Sequence, residues 1–275
     1  MKRSFTLSTL AIALAAAGSI SCAVDSAGVD GDLEPIASTA DEARVADNVE
    51  LKVTVPEADV TRVLARLGLD DGDAEVRDVY FYDTPTLDLF EHGLVLRARK
   101  VHDGPDDSTI KFRPLQRTNV DASWFRQSGF KCETDIAGTA AVDSCSFTVE
   151  QDHGEIDAVA NGDRRVDQLF SSAQEDFARL YASAPIAWTS LRALGPIDAH
   201  VWQRNSRTLR APLTVERWTL PSGRALLELS IRVPRTSLDA ARVRFDSYVR
   251  ALGIDATVGQ ETKTRVALEY FAHAL

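Results

Sequence analysis

The sequence predicts an α+β fold with a dominant antiparallel sheet in a single domain. Segments with the pattern of strands outnumber segments with the pattern of helices, and turn residues such as Pro221, Ser222 and Gly223 separate consecutive strands. The chain shows no internal repeat and no change of composition within its folded part. Several predicted strands also alternate charged with apolar residues. These observations favour one sheet-based domain over two smaller ones.

Charged side chains occupy every second position in five predicted strands. Because successive side chains of a strand point to opposite faces, each of these strands has one apolar face and one ionic face. The ionic rows are Glu50 and Lys52; Arg97 and Arg99; Thr109, Lys111 and Arg113; Lys131, Glu133 and Asp135; and Glu228, Ser230 and Arg232. One such strand fits the solvated outer face of an antiparallel sheet. Five of them, rich in arginines and carboxylates, favour a polar surface that holds a ligand.

The predicted elements begin at Asn48. After the first strand we predict a helix over 56–68, a strand at 79–82, strands carrying Arg97 and Lys111, an irregular polar loop over 137–165, a helix over 166–182, strands at 199–204, 213–220 and 225–233, and helices over 236–253 and 261–272. Pro56 favours a helix start, and Gly68 and Gly253 favour helix ends. Thr236, with Asp239 three residues later, is the predicted cap of the penultimate helix.

Residues 1–21 have the layout of a secretory signal peptide. Lys2 and Arg3 precede an apolar run that ends at Ala17 and is too short to span a bilayer. Cleavage after Ala17 fits an Ala-x-Ala site, whereas cleavage before Cys22 fits a sequence similar to a bacterial lipobox, and we favour the second. A lipid on Cys22 anchors a protein to a membrane and does not make it span one. We therefore expect an exported lipoprotein of the periplasm or outer membrane.

Residues 22–47 are rich in Ala, Asp, Ser and Gly and predict an acidic flexible tether, so we expect the folded domain over 48–275. The formal net charge is −10, and loss of Lys2 and Arg3 with the signal peptide makes it −12. This acidic balance argues against a nucleic-acid partner, because nucleic-acid binders present basic surfaces.

Two cysteines remain if Cys22 carries a lipid, namely Cys132 and Cys145. Export to an oxidising compartment permits a disulfide between them. The alternative is two free thiols, one of them packed on the outer face of its strand. The sequence contains no C-x-x-C pair and no H-E-x-x-H segment that would indicate zinc.

In their order along the chain, the charged strands resemble the CYTH superfamily, the triphosphate tunnel metalloenzymes. That family opens with a Glu-x-Glu-x-Lys strand, which Asn48–Lys52 resembles. The other similar segments are Tyr82–Pro85, Gly93–Arg99, Thr109–Lys111, Lys131–Asp135, Arg204, Thr214–Arg217 and Glu228–Ser230. The resemblance covers about residues 48–271, and its most specific part is Tyr82–Arg99. It implies a closed antiparallel barrel whose ionic faces line a tunnel.

The resemblance also implies a role for each charged residue. Clustered Arg and Lys can replace the hydration of a triphosphate, while carboxylates can hold Mg²⁺ or Mn²⁺ that activates a water. The expected phosphate-binding residues are Arg97, Arg99, Lys111, Lys131, Arg204 and Lys263. The expected metal ligands are Glu50, Glu133, Asp135 and Glu228. Glu50 and Lys52 are the expected catalytic pair.

Three positions depart from the family's pattern. Asn48 stands where the first Glu is expected, Ser230 stands where the late pair has its second Glu, and the acid of the preceding strand is replaced near Trp218. Each change removes a negative metal ligand, so the remaining carboxylates are expected to hold one metal and not two.

Three functions follow as hypotheses. The first is a metal-dependent phosphohydrolase acting on an inorganic or organic triphosphate. The second is a non-catalytic, anchored module that binds polyphosphate or another polyanion in the same tunnel. The third is a structural envelope protein whose ionic strands form only a solvated sheet.

Overall fold

The structure is a computed structural model that describes residues 47–256 and 261–274. The predicted signal peptide over 1–21, the lipidation site at Cys22 and all of the predicted tether except Asp47 lie outside these residues. Among the helices that are described, none has the length and apolar character needed to cross a membrane.

Nine strands close into a barrel within the described part of the chain. They are β1 (Asn48–Val55), β2 (Glu75–Asp83), β3 (Leu94–Val101), β4 (Asp106–Phe112), β5 (Phe130–Ala137), β6 (Ala140–Gln151), β7 (Arg192–Ser206), β8 (Ala211–Thr219) and β9 (Ala225–Pro234). Around the barrel their order is β1-β5-β6-β4-β3-β2-β7-β8-β9, and β9 pairs with β1. The predicted α+β barrel is confirmed.

The strand pairs of the described barrel are antiparallel except for β1 and β5, which run parallel. A parallel pair needs a long connection between its strands. Here that connection contains three other strands, β2, β3 and β4. The alternation of side chains does not reveal strand direction, so this pair could not be read from the sequence.

The helices pack around the barrel. In the described residues they are α1 (Val60–Arg66), α2 (Asp88–Glu91), α3 (Glu155–Ala160), α4 (Ser172–Tyr181), α5 (Leu238–Ala251) and α6 (Lys263–Ala274). Short 3₁₀ turns precede α1, α4 and α5.

Much of the apolar core lies on the outer side of the barrel wall. Along β1, the alternate residues Val49, Leu51, Val53 and Val55 are each at most 2% exposed. They belong to one apolar cluster with residues of α1 and α5, among them Val63. Full burial of such a side chain stabilises a fold by about 1.5–3 kcal/mol. The wall is therefore held from outside, and most of the side chains that line its inner cavity are polar.

Gln174 fastens α4 to the wall of the barrel. Its buried side-chain amide donates to the backbone carbonyls of Ser108 at 3.1 Å and Phe147 at 3.0 Å. The same side chain accepts from the backbone N–H of Ser171, whose hydroxyl caps the helix in return. The rings of Phe177 and of the wall residues beneath α4 pack edge to face. These contacts hold β4 and β6 in place, so that their inner faces are positioned for the tunnel.

The backbone around Gly93 sets the register of β3 and β4. Gly93 has a φ of 77°, and a Cβ at this position would clash with the backbone carbonyl of Arg113. The Arg113 N–H donates to the Gly93 carbonyl at 2.7 Å. This close pairing aligns Arg97 with Thr109 and places Lys111 on the same inner face.

One end of the barrel is covered by α6. Val266 and Leu268 of this helix cluster with Phe81 and Trp218, which also line the cavity inside the barrel. The first residue of α6, Lys263, lines the cavity as well. The helix therefore contributes both an apolar cover and a charged group to the interior.

The prediction of an irregular loop over 137–165 is wrong. Most of this segment is regular structure: it forms β6, which pairs with β4 and β5, and then the short helix α3. The inner face of β6 carries the small polar residues Ser144, Ser146 and Thr148. These residues resemble loop composition, although they alternate with the outward Cys145 and Phe147 as a strand requires.

The predicted cap of the penultimate helix is also wrong. The residue before α5 is Ser237 and not Thr236, and no side-chain hydrogen bond caps the helix. A 3₁₀ turn over Arg235–Ser237 leads directly into α5 instead. The helix predicted over 166–182 is divided in a similar way, into a turn at Val166–Leu169 and α4.

Candidate functional site

The barrel encloses a cavity of about 500 Å³ with a strongly ionic lining. Its cationic lining residues are Lys52, Arg77, Arg97, Arg99, Lys111, Arg113, Lys131, Arg232 and Lys263. Its carboxylates are Glu50, Glu133, Glu216 and Glu228. Cations outnumber carboxylates among these residues, so the lining is built to attract an anion.

Most of the predicted site residues meet in this cavity. Glu50, Lys52, Arg97, Arg99, Lys111, Lys131, Glu133, Glu228 and Lys263 all line it. Asp135 is buried beside the lining and forms ion pairs with Lys52 and Lys111, each at 3.2 Å.

The prediction for Arg204 is wrong. Its neighbour Gln203 lines the cavity, so Arg204 lies on the opposite face of β7. There its guanidinium pairs with Asp73, with 3.2 Å between Nη2 and Oδ2. The prediction failed because the phase of alternation along β7 places Val201 and Gln203 inside the barrel.

The two arginines of β3 differ in their partners. Arg99 is paired with Asp107, whose Oδ2 lies 2.9 Å from the Nε and 2.6 Å from the Nη2 of the guanidinium. Arg97 donates only a long bond of 3.4 Å to the hydroxyl of Thr109, and its buried Nε has no hydrogen-bond partner among the described residues. Burial, together with repulsion from Arg99, lowers the pKa of Arg97 to about 10, so the guanidinium is still charged at neutral pH. Arg97 is a buried cation ready to accept an anion.

Three carboxylates form an acidic cluster in the wall made by β1 and β5. One oxygen each from Glu50, Glu133 and Asp135 lies within 4.8 Å of the others, and this group could hold a metal ion. Carboxylate oxygens are the ligands that hard divalent cations prefer. Asp135 is 5% exposed, and its Oδ1 forms no hydrogen bond among the described residues, although the Nζ of Lys52 lies 3.2 Å away. The donor set therefore fits a divalent cation.

Side-chain cations already contact each carboxylate of this acidic cluster. Lys52 lies 2.9 Å from Glu50, and Lys131 lies 3.0 Å from Glu133. Burial opposes ionisation of both glutamates, but the nearby cations outweigh it. They hold the pKa of Glu50 well below its usual range and lower that of Glu133 to about 2. Both carboxylates are consequently ionised at neutral pH.

The acidic cluster raises the pKa of Lys52, just as the cations lower the pKa of the carboxylates. Burial works against its charge, but the carboxylates of Glu228, Glu50 and Asp135 raise its pKa well above the ordinary value. For Lys111, burial outweighs the attraction of Asp135 and, together with repulsion from Arg113, lowers the pKa. The two lysines are therefore unequal, and Lys52 is the more firmly protonated of the pair.

A second pair of carboxylates lies between β8 and β9. Glu216 stands directly opposite Glu228, and the Nζ of Lys263 contacts both, at 3.3 Å from Glu228. Burial opposes ionisation of Glu216, but Lys263 and the indole N–H of Trp218 lower its pKa to about 2. The ammonium of Lys263 also lies 4.7 Å from the centre of the Trp218 ring.

The prediction that the strand before the late acidic pair has lost its carboxylate is wrong. The sequence analysis placed a lost acid near Trp218, whereas Glu216 supplies an inward carboxylate two residues earlier on β8. The signal was the alternation of Thr214, Glu216 and Trp218, all three of which line the cavity. Asn48 and Ser230 remain without a carboxylate.

Three further lining cations were not assigned to the site from the sequence. Arg113 and Arg232 continue the charged rows of β4 and β9, so the alternation alone could have placed them inside. Arg77 lies at the start of β2, four residues before Phe81 on the same inner face, in a part of the strand that was not predicted.

Cys132 and Cys145 are joined by a disulfide in the structure. They face each other in the register of β5 and β6, with Cα atoms 4.0 Å apart. Cys132 alternates with the lining residues Lys131 and Glu133, so the bridge lies on the outer face of the wall. It therefore braces β5, the strand that carries Glu133 and Asp135, against β6.

Comparison with known proteins identifies relatives only at the level of the fold. No protein-family model and no curated protein sequence matches the chain. Among solved structures, a Bacillus halodurans protein described as a candidate adenylate cyclase superposes with a TM-score of 0.55 and 17% identity, covering 80% of this chain and 96% of that one.

A second solved structure is a Hippeastrum protein, described as a candidate adenylyl cyclase with a dominant triphosphatase activity. It superposes with a TM-score of 0.58 and 13% identity, covering 81% of this chain and 96% of the other. These similarities show a shared tunnel fold, as the resemblance of the sequence implied.

Proposed function

We propose that this protein belongs to the CYTH superfamily and is a metal-dependent phosphohydrolase that acts on triphosphates inside the barrel. The observation that supports this most strongly is that one cavity contains both a cation that can bind phosphate and a group of carboxylates that can bind a metal. Arg97 offers a buried cation that has no carboxylate partner among the described residues, and Glu50, Glu133 and Asp135 offer a site for a metal. The triphosphatase activity of the Hippeastrum protein with the similar fold adds support.

Arg97, Arg99 and Lys111 bind the phosphate chain in this proposal. Charge-assisted hydrogen bonds from guanidinium and ammonium groups replace the hydration that a triphosphate loses on entering the cavity. Arg97 can donate hydrogen bonds to a phosphate oxygen without breaking an existing ion pair among the described residues. Arg99 would have to share its guanidinium with Asp107, from which it is 2.6–3.1 Å away. We therefore rank Arg97 as the principal phosphate anchor.

Glu50, Glu133 and Asp135 would hold Mg²⁺ or Mn²⁺, with Glu228 as a further carboxylate in the same cavity. Such an ion supplies charge neutralisation and an activated water. Lys52 lies between Glu50 and Asp135, at 2.9 and 3.2 Å. Because Lys52 remains protonated, it acts here as a donor to a phosphate oxygen and not as a base.

The aromatic lining favours an inorganic triphosphate over a nucleotide. Trp218 and Phe81 are at most 2% exposed, and Phe90 lies beneath the guanidinium of Arg265 at 4.8 Å. Since a nucleobase binds best on an open aromatic face, these lining aromatics offer it little. Tripolyphosphate is the substrate that we propose.

Phosphate release from tripolyphosphate tests the proposal. The full chain should release phosphate with Mg²⁺ or Mn²⁺ and stop when EDTA is added. ATP should be a poorer substrate under the same conditions. Binding of tripolyphosphate without release under Mg²⁺, Mn²⁺ and Ca²⁺ would contradict the enzyme.

A non-catalytic polyphosphate-binding module is the second candidate. The contacts of Lys52, Lys111 and Lys131 with the acidic cluster favour it, because these cations reduce the negative charge that attracts a metal. The same assay separates the two, since the module binds tripolyphosphate and releases no phosphate.

We further propose that residues 1–21 direct export, that Cys22 carries a lipid, and that residues 22–47 separate the membrane from the folded domain over 48–275. The apolar run before Cys22 and the acidic composition after it support this arrangement. Mass spectrometry of the protein from its native membrane should find an acylated N-terminus at Cys22. An unmodified N-terminus after Ala17 would show a soluble exported protein.

A further inference from the structure

Arg232 reaches across a strand to contact two carboxylates of the acidic cluster. On β9 it lies directly opposite Glu50 of β1. Its Nη2 is 3.7 Å from Glu50 Oε1 and 3.2 Å from Glu133 Oε2, and Glu133 belongs to β5 on the far side of β1. One guanidinium therefore bridges two of the three carboxylates that could hold a metal.

Arg232 combines access to solvent with contacts to two carboxylates of the cluster. Its side chain is 45% exposed and that of Lys131 is 42% exposed, compared with 14–28% for the other cations at the cluster, Lys52, Lys111 and Arg113. Among the described residues, Lys131 contacts only Glu133 of the cluster, whereas Arg232 contacts both Glu50 and Glu133. Arg232 is therefore the solvent-accessible cation whose departure would release two carboxylates.

The inward side chains of β9 become more positive towards the end of the strand that meets the acidic cluster. Glu228, Ser230 and Arg232 are its inward residues. The middle position carries no charge, and the last places a cation where it meets Glu50. The strand therefore presents the cluster with a positive group of its own.

We propose that Arg232 competes with a divalent metal for Glu50 and Glu133, and that a bound polyphosphate relieves this competition by drawing the guanidinium away. A guanidinium and a divalent cation cannot occupy the same carboxylate oxygens, and their like charges repel. Phosphate offers Arg232 a bidentate partner that replaces Glu133. The polyphosphate then binds before the metal. This second part depends on the proposed function, whereas the competition does not.

Calorimetric titration with Mn²⁺ alone, without any phosphate, tests the competition. Arg232→Gln should tighten Mn²⁺ binding by about tenfold or more, because a charged contact with each carboxylate is lost. Arg232→Lys keeps the charge and should stay closer to the wild type. Arg235→Gln is the matched control, since Arg235 is also 45% exposed but pairs with Asp47 and not with the cluster. Unchanged or weaker Mn²⁺ binding in Arg232→Gln, or equal tightening in Arg232→Lys, would overturn the proposal.

Titration with tripolyphosphate in EDTA tests the exchange. Arg232→Gln should weaken binding by about tenfold, while Arg235→Gln should match the wild type. Equal affinity in Arg232→Gln and wild type would overturn the exchange. If the wild type binds no tripolyphosphate, the proposed function fails, and the Mn²⁺ titration still decides the competition. Thermal unfolding of each variant verifies that it folds. We expect the Arg232 variants to fold, because Lys52, Lys111 and Lys131 still contact the cluster when the guanidinium is absent.

Discussion

Glu216 lies directly opposite Glu228 across β8 and β9, on the inner face of the barrel. Two like charges at facing positions of neighbouring strands destabilise a sheet. Here both carboxylates contact Lys263, the first residue of α6. The ammonium therefore offsets the repulsion and connects the covering helix to the wall of the barrel.

This relationship predicts a loss of stability in acid. The pKa of Glu216 is about 2 in the folded protein, below its ordinary value of 4.5. Its contribution to stability is therefore present above about pH 4.5 and is lost as the pH falls towards about 2. Urea unfolding of the wild type should show falling stability between about pH 5 and pH 3. Glu216→Gln removes this titration, so its stability should fall less steeply over that range. Equal slopes would show that Glu216 is not held ionised.

Replacing Arg97 should weaken the binding of tripolyphosphate. A charge-assisted contact contributes about 1.5–3 kcal/mol, so Arg97→Ala should raise the dissociation constant by about 10- to 150-fold. Calorimetric titration in EDTA measures this without interference from a metal. Arg204→Ala is the control, because Arg204 faces Asp73 outside the tunnel and its loss should leave the affinity unchanged. Equal losses in the two variants would contradict the placement of the phosphate site.

Replacing Glu50 should separate catalysis from binding. Glu50→Gln removes one carboxylate from the acidic cluster and no donor to phosphate. Metal-dependent phosphate release from tripolyphosphate should be abolished, while the affinity for tripolyphosphate in EDTA should be retained or increased. Assaying both properties on one preparation supplies the control for folding. Full activity in Glu50→Gln would exclude Glu50 as a metal ligand.

The disulfide should stabilise the barrel without contributing to the site chemistry. Cys132 and Cys145 are 13 residues apart in sequence, and closing a loop of this size stabilises a fold by about 3 kcal/mol in the chain-entropy model. The double variant Cys132→Ala with Cys145→Ala should unfold at correspondingly lower urea concentration. Reductant should lower the stability of the wild type and leave the double variant unaffected. A wild type that is insensitive to reductant would contradict the bridge.

The charged rows keep a strict period of two, so the sequence predicted which side chains share the ionic face of each strand. The resemblance of the sequence to a known family implied that these faces line a closed barrel, and Lys111 and Glu133 lie in its interior as expected. A period of two shows which residues share a face of a strand, but it does not show which of the two faces points into the barrel. Arg204 was therefore placed on the wrong face of β7. Where the inward residues are small and polar, as Ser144 and Ser146 are, the period is faint and β6 was missed.

The ion pairs could not be read from the sequence, because they depend on register. Arg232 contacts Glu133 across β1, although 98 positions and several strands separate them along the chain. Lys263 meets Glu216 only because α6 covers one end of the barrel. Alternation placed Arg232 and Glu133 on the charged faces of their strands, whereas their partners depend on the order of strands around the barrel.

Calorimetric titration of the full wild-type chain with tripolyphosphate in EDTA tests the central claim most directly. The account predicts saturable binding that weakens as salt is raised, because ionic contacts are screened. At 100 times the dissociation constant, tripolyphosphate should raise the free energy of unfolding by about 2.7 kcal/mol. No heat of binding and no stabilisation at millimolar tripolyphosphate would contradict a triphosphate tunnel and leave a structural barrel with an ionic interior.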